Sequence, residues 1–166
     1  MNSTARPAHQ PLTELDEQWL RAAIAQSRQA AAAGHQPYGA VLVGAGVQRW
    51  AAHNTQGDPG DLTGHAEMNL VRDAARALGP GALQGSTVYA SGEPCPMCAG
   101  ALYWAGVARI VFALDVAAMR ALNGPDSVLP LRCAEVVAGG TRPVEVQGPA
   151  LLDEARAAFA DRTAAT

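Results

Sequence analysis

Apolar positions along this chain switch between helical spacing and strict alternation, and each switch marks an element. Leu15, Trp19, Ala22 and Ala23 recur at helical spacing, and Thr13 with Asp16 three residues on reads as an N-terminal cap. The first helix is therefore expected from about residue 13 to Gly34. Pro37-Tyr38-Gly39 breaks the period, and the β-rich residues 40–43 and 47–53, joined by Gly44-Ala45-Gly46, predict a hairpin. A polar, glycine-rich stretch over 54–64 precedes a second helical pattern, in which Met68, Val71, Ala75 and Leu78 follow His65 and the helix closes around Gly79-Pro80.

Residues 86–90 then read as a strand, 95–106 as a helix and 109–113 as a strand. A short helix over 116–122 leads into an irregular run, 123–132, that holds two prolines and is long enough to suggest a functional loop. A strand over 143–147 comes next, and Leu151, Leu152, Ala155 and Phe159 give a last helix its apolar face. Strand and helix alternate, which implies crossover connections and a parallel sheet covered by helices. At 166 residues the expectation is one domain over 13–161, with tails over 1–12 and 162–166.

Charge and composition narrow the field. Hydrophobic residues make up 49% and charged ones 16%, with no apolar run long enough to span a bilayer. Residues 1–11 lack the apolar core of a signal peptide, so a cytoplasmic protein is expected. A formal charge of -3 argues against a protein that grips long stretches of phosphate backbone. The arginines are scattered, and a solvated surface is the default reading for them. All the basic residues are arginine, so Schiff-base lysine chemistry and a P-loop lysine are excluded. Three cysteines do not make a disulfide framework, and Cys133, alone, reads as a small buried hydrophobe.

The other two cysteines carry the candidate chemistry. Gly64-His65-Ala66-Glu67 and Pro94-Cys95-Pro96-Met97-Cys98 place one imidazole and two thiols at the starts of two helices. Pro96 suits a first helical position, and the positive end of a helix favours thiolate. Zn²⁺ takes nitrogen and sulfur ligands, and three protein ligands leave the fourth tetrahedral position for water. Glu67, two residues from His65, is then placed as a general base beside the metal. A structural site closed by a fourth ligand is the competing reading, with His35, His53 or Cys133 as the available types, but it has no use for Glu67. His53 reads as a strand-end residue, and Glu93 as support for the cysteine loop or as a helix-start charge.

H-x-E with P-C-x-x-C is the general signature of zinc nucleobase deaminases. With it, the chain resembles the cytidine deaminase superfamily, and residues 99–105, with Tyr103-Trp104 after the cysteines, resemble the bacterial guanine deaminase-like branch. The resemblance implies a three-layer α/β/α fold on a five-stranded mixed sheet, a zinc cofactor, a homodimer, and hydrolytic deamination of a nucleobase or related aminated heterocycle, with guanine to xanthine as the leading case. It also implies a base-binding role for Asn54, eleven positions before His65, and a base contact for Asp126. Glu135 stands where related deaminases carry a further acidic residue. Trp104 and Tyr38 read either as core aromatics or as pocket walls, and Asp126 either as a base contact or as a turn residue. The alternatives are a tRNA adenosine deaminase, a cytosine or cytidine-type deaminase, and a non-catalytic zinc-stabilised interaction module. The chain ends without the aromatic tail by which some guanine deaminases close a neighbouring pocket, so a swapped lid is not expected.

Overall fold

The computed structural model describes residues 11–163. The chain runs α1 (Glu14–Ala32), β1 (Gly39–Gly44), β2 (Val47–His53), α2 (Ala66–Leu78), β3 (Thr87–Gly92), α3 (Pro96–Trp104), β4 (Arg109–Leu114), α4 (Val116–Asn123), α5 (Cys133–Ala138), β5 (Glu145–Gln147) and α6 (Leu152–Thr163). The five strands form one sheet in the order β2-β1-β3-β4-β5. β1 is antiparallel to β2 and β3, whereas β3, β4 and β5 are parallel, so the sheet is mixed. Strict alternation of helix and strand had suggested a parallel sheet, and the tight β1–β2 hairpin is what reverses one part of it.

Side chains alternate across the sheet as the period of two requires. Leu42, Val88, Ala90, Ile110 and Phe112 meet α2, α3 and α5 on one face. Val41, Val43, Tyr89, Val111 and Ala113 meet α1, α4 and α6 on the other. Helices cover both faces, and the fold is three-layered α/β/α. The helix α5 was not expected from sequence, because its six residues are too short for a period to register. Among the described residues no helix is long and apolar enough to cross a membrane. Of the expected tails, 1–10 and 164–166 lie outside the described residues, while residues 162 and 163 extend α6.

The capping box at the start of α1 forms as expected. Thr13 Oγ1 accepts from the Asp16 N–H at 3.1 Å, and Asp16 Oδ2 accepts from the Thr13 N–H at 2.9 Å. The buried face of the helix is rotated from the expected one. Leu20, Ile24 and Ser27 point inward with Ala23, while Leu15 is exposed. The cause is Asp16, which is buried. Arg109 Nη1 and the Tyr89 hydroxyl both donate to Asp16 Oδ1, at 2.5 and 2.7 Å, and Arg109 Nη2 donates to Oδ2 at 3.2 Å. Arg109 Nε also reaches Gln147 Oε1 at 3.1 Å. One carboxylate thus ties the first helix to β3, β4 and β5. Arg109 departs from the default of solvated arginines.

Burial alone would raise the Asp16 carboxyl, but hydrogen bonds from Arg109, from Thr13 and from Tyr89 outweigh it and hold the group well below the usual carboxylate range. The linkage follows from that sign. Stabilisation from a depressed carboxyl is complete above the unfolded value of about 4 and is lost as pH falls through the folded one. Asp16→Asn is therefore expected to cost roughly 3–5 kcal/mol at neutral pH, as for other buried pairs that lose one partner. It should also flatten the acid limb of stability below about pH 4, as read by urea denaturation across pH. An unaltered acid limb would remove Asp16 from its cause.

Candidate active site

Two helix starts meet at one end of the sheet. His65 occupies the N-cap of α2 and Cys95 the N-cap of α3, both with extended backbone and neither with a side-chain capping hydrogen bond. Pro96 takes the first turn of α3, as its fixed φ favours. Cys98 then returns one turn later, and both sulfurs face the imidazole. His65 Nδ1 lies 3.5 Å from Cys95 Sγ and 3.6 Å from Cys98 Sγ. Among the described residues, His65, Cys95 and Cys98 are the one group of three donors gathered within 4.8 Å. The donor set, one imidazole and two thiols, suits tetrahedral zinc with a position left over. None of the three candidate fourth ligands joins it. His35 pairs with Asp58 at 3.5 Å, His53 ends β2, and Cys133 is fully buried in the core, where burial raises its thiol to about 12.

Glu67 lies in the first turn of α2, almost wholly buried, and lines the same cavity as His65 and Cys95. Burial pushes its carboxyl up to about 7. The adjacent Cys98, with His65, brings the Cys95 thiol down to about 4 against the opposing effect of burial. The arrangement sets a buried carboxyl beside three donors that could hold a metal ion.

The cavity beside them measures about 300 Å³. Asn54 lines it, with its amide fixed on both sides: Nδ2 donates to the Gln36 carbonyl at 3.2 Å and Oδ1 accepts from the Gln56 N–H at 3.3 Å. Each end of the amide keeps further hydrogen-bonding capacity for a ligand. Tyr38 also lines the cavity, its ring edge-on to Phe159 and its hydroxyl accepting from Asn123 Nδ2 at 2.9 Å. Gly92 is needed there, because a Cβ at that position would lie 2.9 Å from both the Tyr38 ring and the Met119 sulfur.

Three expected residues stand elsewhere. Trp104 is 86% exposed at the end of α3, edge-on to Tyr103, and does not line the cavity. Tyr103 beside it is held under Arg142, whose guanidinium lies 4.7 Å from the ring, with the Thr141 and Arg142 N–H groups donating to the phenol oxygen. Asp126 is exposed on the turn after Pro125, and its neighbours Ser127 and Val128 line the cavity instead. Glu135 accepts from the Arg132 N–H at 2.8 Å at the start of α5 and faces a separate cavity of about 500 Å³. Glu93, read as support for the cysteine loop, is buried just before it and pairs with the half-exposed Arg132 at 2.9 Å.

Sequence reasoning missed the outer wall, formed by Val116, Met119, Asn123, Leu129 and Leu131, although the long loop within it carried a signal. It also missed Asn69, whose Nδ2 donates to the His53 carbonyl and Thr55 Oγ1, both at 2.9 Å, and so fastens the 54–64 loop to α2. An asparagine one turn after His65, on the face that must be buried, was the available sign.

Comparison with known proteins agrees with this geometry. Residues 13–114 match the family model described as the cytidine and deoxycytidylate deaminase zinc-binding region. A probable cytosine deaminase of Schizosaccharomyces pombe is 32% identical over 150 residues, spanning 87% of this chain and 90% of that protein. A tRNA-specific adenosine deaminase of Bacillus subtilis is 41% identical over 97 residues, 58% of this chain and 60% of that one. The guanine deaminase of Bacillus subtilis is 39% identical over 79 residues, 48% and 51% of the two chains. Among solved structures, the guanine deaminase from Nitrosomonas europaea superposes with a TM-score of 0.74 at 22% identity, covering 99% of this chain and 98% of that one.

Replacing Cys98 with Ala is expected to lose zinc and lower the melting temperature together, since a metal held only by the folded chain stabilises it. Glu67→Gln should keep its zinc. Metal analysis and thermal unfolding of the two variants check this, and a Cys98→Ala protein with full zinc content would reassign the ligands.

Proposed function

The chain belongs to the cytidine and deoxycytidylate deaminase family, a family of zinc-dependent deaminases, and from that premise we propose that it removes the exocyclic amine of a free nucleobase or related aminated heterocycle, guanine to xanthine first among them. One observation carries the choice of a small neutral substrate. The cavity is about 300 Å³, at the low end for ligand sites, and no arginine among the described residues lines it. A phosphate-bearing substrate would leave its charge unmet there.

In this reading His65, Cys95 and Cys98 hold the zinc. The ion supplies Lewis acidity that brings the pKa of water down to roughly 7. Glu67 takes the proton of the attacking water as its oxygen adds to the amine-bearing carbon. The same carboxyl then gives that proton to the adjacent ring nitrogen and carries the next one to the departing amine, which leaves as ammonia. A carboxyl raised to about 7 by burial is suited to moving protons in both directions near neutral pH. Asn54 supplies the fixed polar contact in the plane of the ring, and Tyr38 with Val128 and Leu129 supplies its flat apolar surroundings.

A second reading, cytosine or a related pyrimidine, is favoured by the alignment to the yeast relative, which runs nearly end to end. A tRNA adenosine substrate is supported by the Bacillus relative, but the net charge of -3 and a cavity that no arginine among the described residues lines count against it. With Trp104 and Asp126 outside the cavity, neither supports guanine over these. The homodimer implied by the family resemblance has a candidate face in Met97 and Trp104, seven residues apart on the outer side of α3.

Ammonia release from guanine, cytosine, adenine, their nucleosides and a tRNA anticodon stem tests the reading. Release from a free base is expected, with Glu67→Ala slower by about 10²–10⁴-fold while zinc stays bound. Full activity in that variant would refute the assigned proton carrier, and release from tRNA alone would refute the small-substrate reading.

A further inference from the structure

Glu93 lies between the end of β3 and Cys95, with its side chain 1% exposed. Its two oxygens are fully engaged. Arg132 Nε donates to both, at 2.9 and 3.0 Å, the Cys133 N–H donates to Oε1 at 2.9 Å, and the Val116 N–H donates to Oε2 at 3.2 Å.

These donors come from the two ends of one segment. Between Val116 and Arg132 lie Met119, Asn123, Val128, Leu129 and Leu131, which form the outer wall of the catalytic cavity. A single carboxylate therefore fastens both ends of that wall to the loop that carries Cys95. Inside the segment the remaining ties are few. Asn123 Nδ2 reaches the Tyr38 hydroxyl, Arg120 Nε reaches the Pro125 carbonyl at 2.9 Å, and Ser127 Oγ reaches the Gly124 carbonyl at 2.7 Å. Ala118 and Met119 in α4 are packed into the core, but Leu129 and Leu131 are 68% and 45% exposed, so little packing stands behind the part of the wall that follows α4.

We propose that Glu93 is a positioning residue for substrate binding: it clasps the wall formed by 116–131 at both ends and so sets the width of the cavity over the metal ligands. The clasp rests on the deaminase reading of that cavity, but its effect on the wall does not. Arg132 is the informative partner. It is half exposed, and it lines the neighbouring cavity rather than the catalytic one. Any effect of Arg132 on substrate must then travel through Glu93 and the wall.

The test uses the full chain with zinc bound and compares the wild type with Arg132→Ala, Glu93→Gln and the double variant. Hydrogen–deuterium exchange over 116–131 should quicken in each variant by about tenfold, with exchange in α1 and β1 unchanged. KM for the best substrate of the panel should rise by about tenfold, with kcat within about twofold and zinc content unchanged. The double variant should be no worse than Glu93→Gln, because the two changes release the same tie. If Glu93→Gln fails to fold, Arg132→Ala decides alone. Unchanged exchange, a loss of kcat at constant KM, or loss of zinc in Arg132→Ala would each overturn the clasp. A wild-type protein that deaminates nothing in the panel would sink the deaminase reading instead, and the exchange data would still decide whether Glu93 holds the wall.

Discussion

The structure turns on two helix N-termini that must point at one place. An uncapped N-terminus leaves N–H groups without partners and a partial positive charge, and most helices satisfy these with a serine, threonine or aspartate side chain. α1 does so through Thr13 and α4 through Asp115. α2 and α3 do not: their N-cap residues are His65 and Cys95, and neither side chain makes a capping bond. Those side chains face each other instead, with Cys98 as the third donor. The positive ends of both helices then favour the anionic sulfurs that a metal needs. β3, in the middle of the sheet, delivers Cys95, and the hairpin beside it delivers the 54–64 loop to His65.

That constraint explains why so much of the site could be read from sequence. The candidate metal donors, Glu67 and the helix starts are all local patterns, H-x-E and P-C-x-x-C, whose spacing is fixed by one or two helical turns. Asn54, named through the family resemblance and its spacing to His65, and Tyr38, open between core aromatic and pocket wall, both line the cavity. The failures have a different origin. Trp104 follows the motif closely in sequence, but a helix turns by about 100° per residue, and its place on α3 carries it to the outside. Asp126 and Glu135 fall in a segment with no period to orient them. Only tertiary packing decides which residue of such a loop faces inward.

Buried ion pairs were the other blind spot. Scattered arginines read as a solvated surface, yet Arg109 anchors α1 through Asp16 and Arg132 closes on Glu93. Neither pair is local. Asp16 and Arg109 lie 93 residues apart, and Glu93 and Arg132 lie 39 apart. Composition cannot distinguish an arginine that will meet a buried carboxylate from one that will meet water. A buried carboxylate with one missing partner is costly, so these pairs specify arrangement more than they add stability. Asp16 joins α1 to the sheet, and Glu93 joins the two ends of the segment from Val116 to Cys133 to the start of the cysteine loop.

The division of the chain into matched and unmatched parts now has a physical reading. The family model ends at residue 114, the last residue of β4, and takes in His65, Glu67, Cys95, Cys98 and Asn54. The outer wall begins at Val116, immediately beyond it. The relatives that share the matched part are named for cytosine, guanine and tRNA adenosine. The three candidate metal donors and Glu67 all lie within the matched part. Discrimination among ring systems requires surfaces that touch the edges of the ring away from the reacting carbon, and the wall residues line the cavity beside Asn54 and Tyr38. A wall that lies beyond the matched part must still be held against the loop that carries Cys95. A carboxylate two residues before a metal ligand, bonding mainly to backbone N–H groups and one arginine, makes that attachment with little demand on the wall's own side chains.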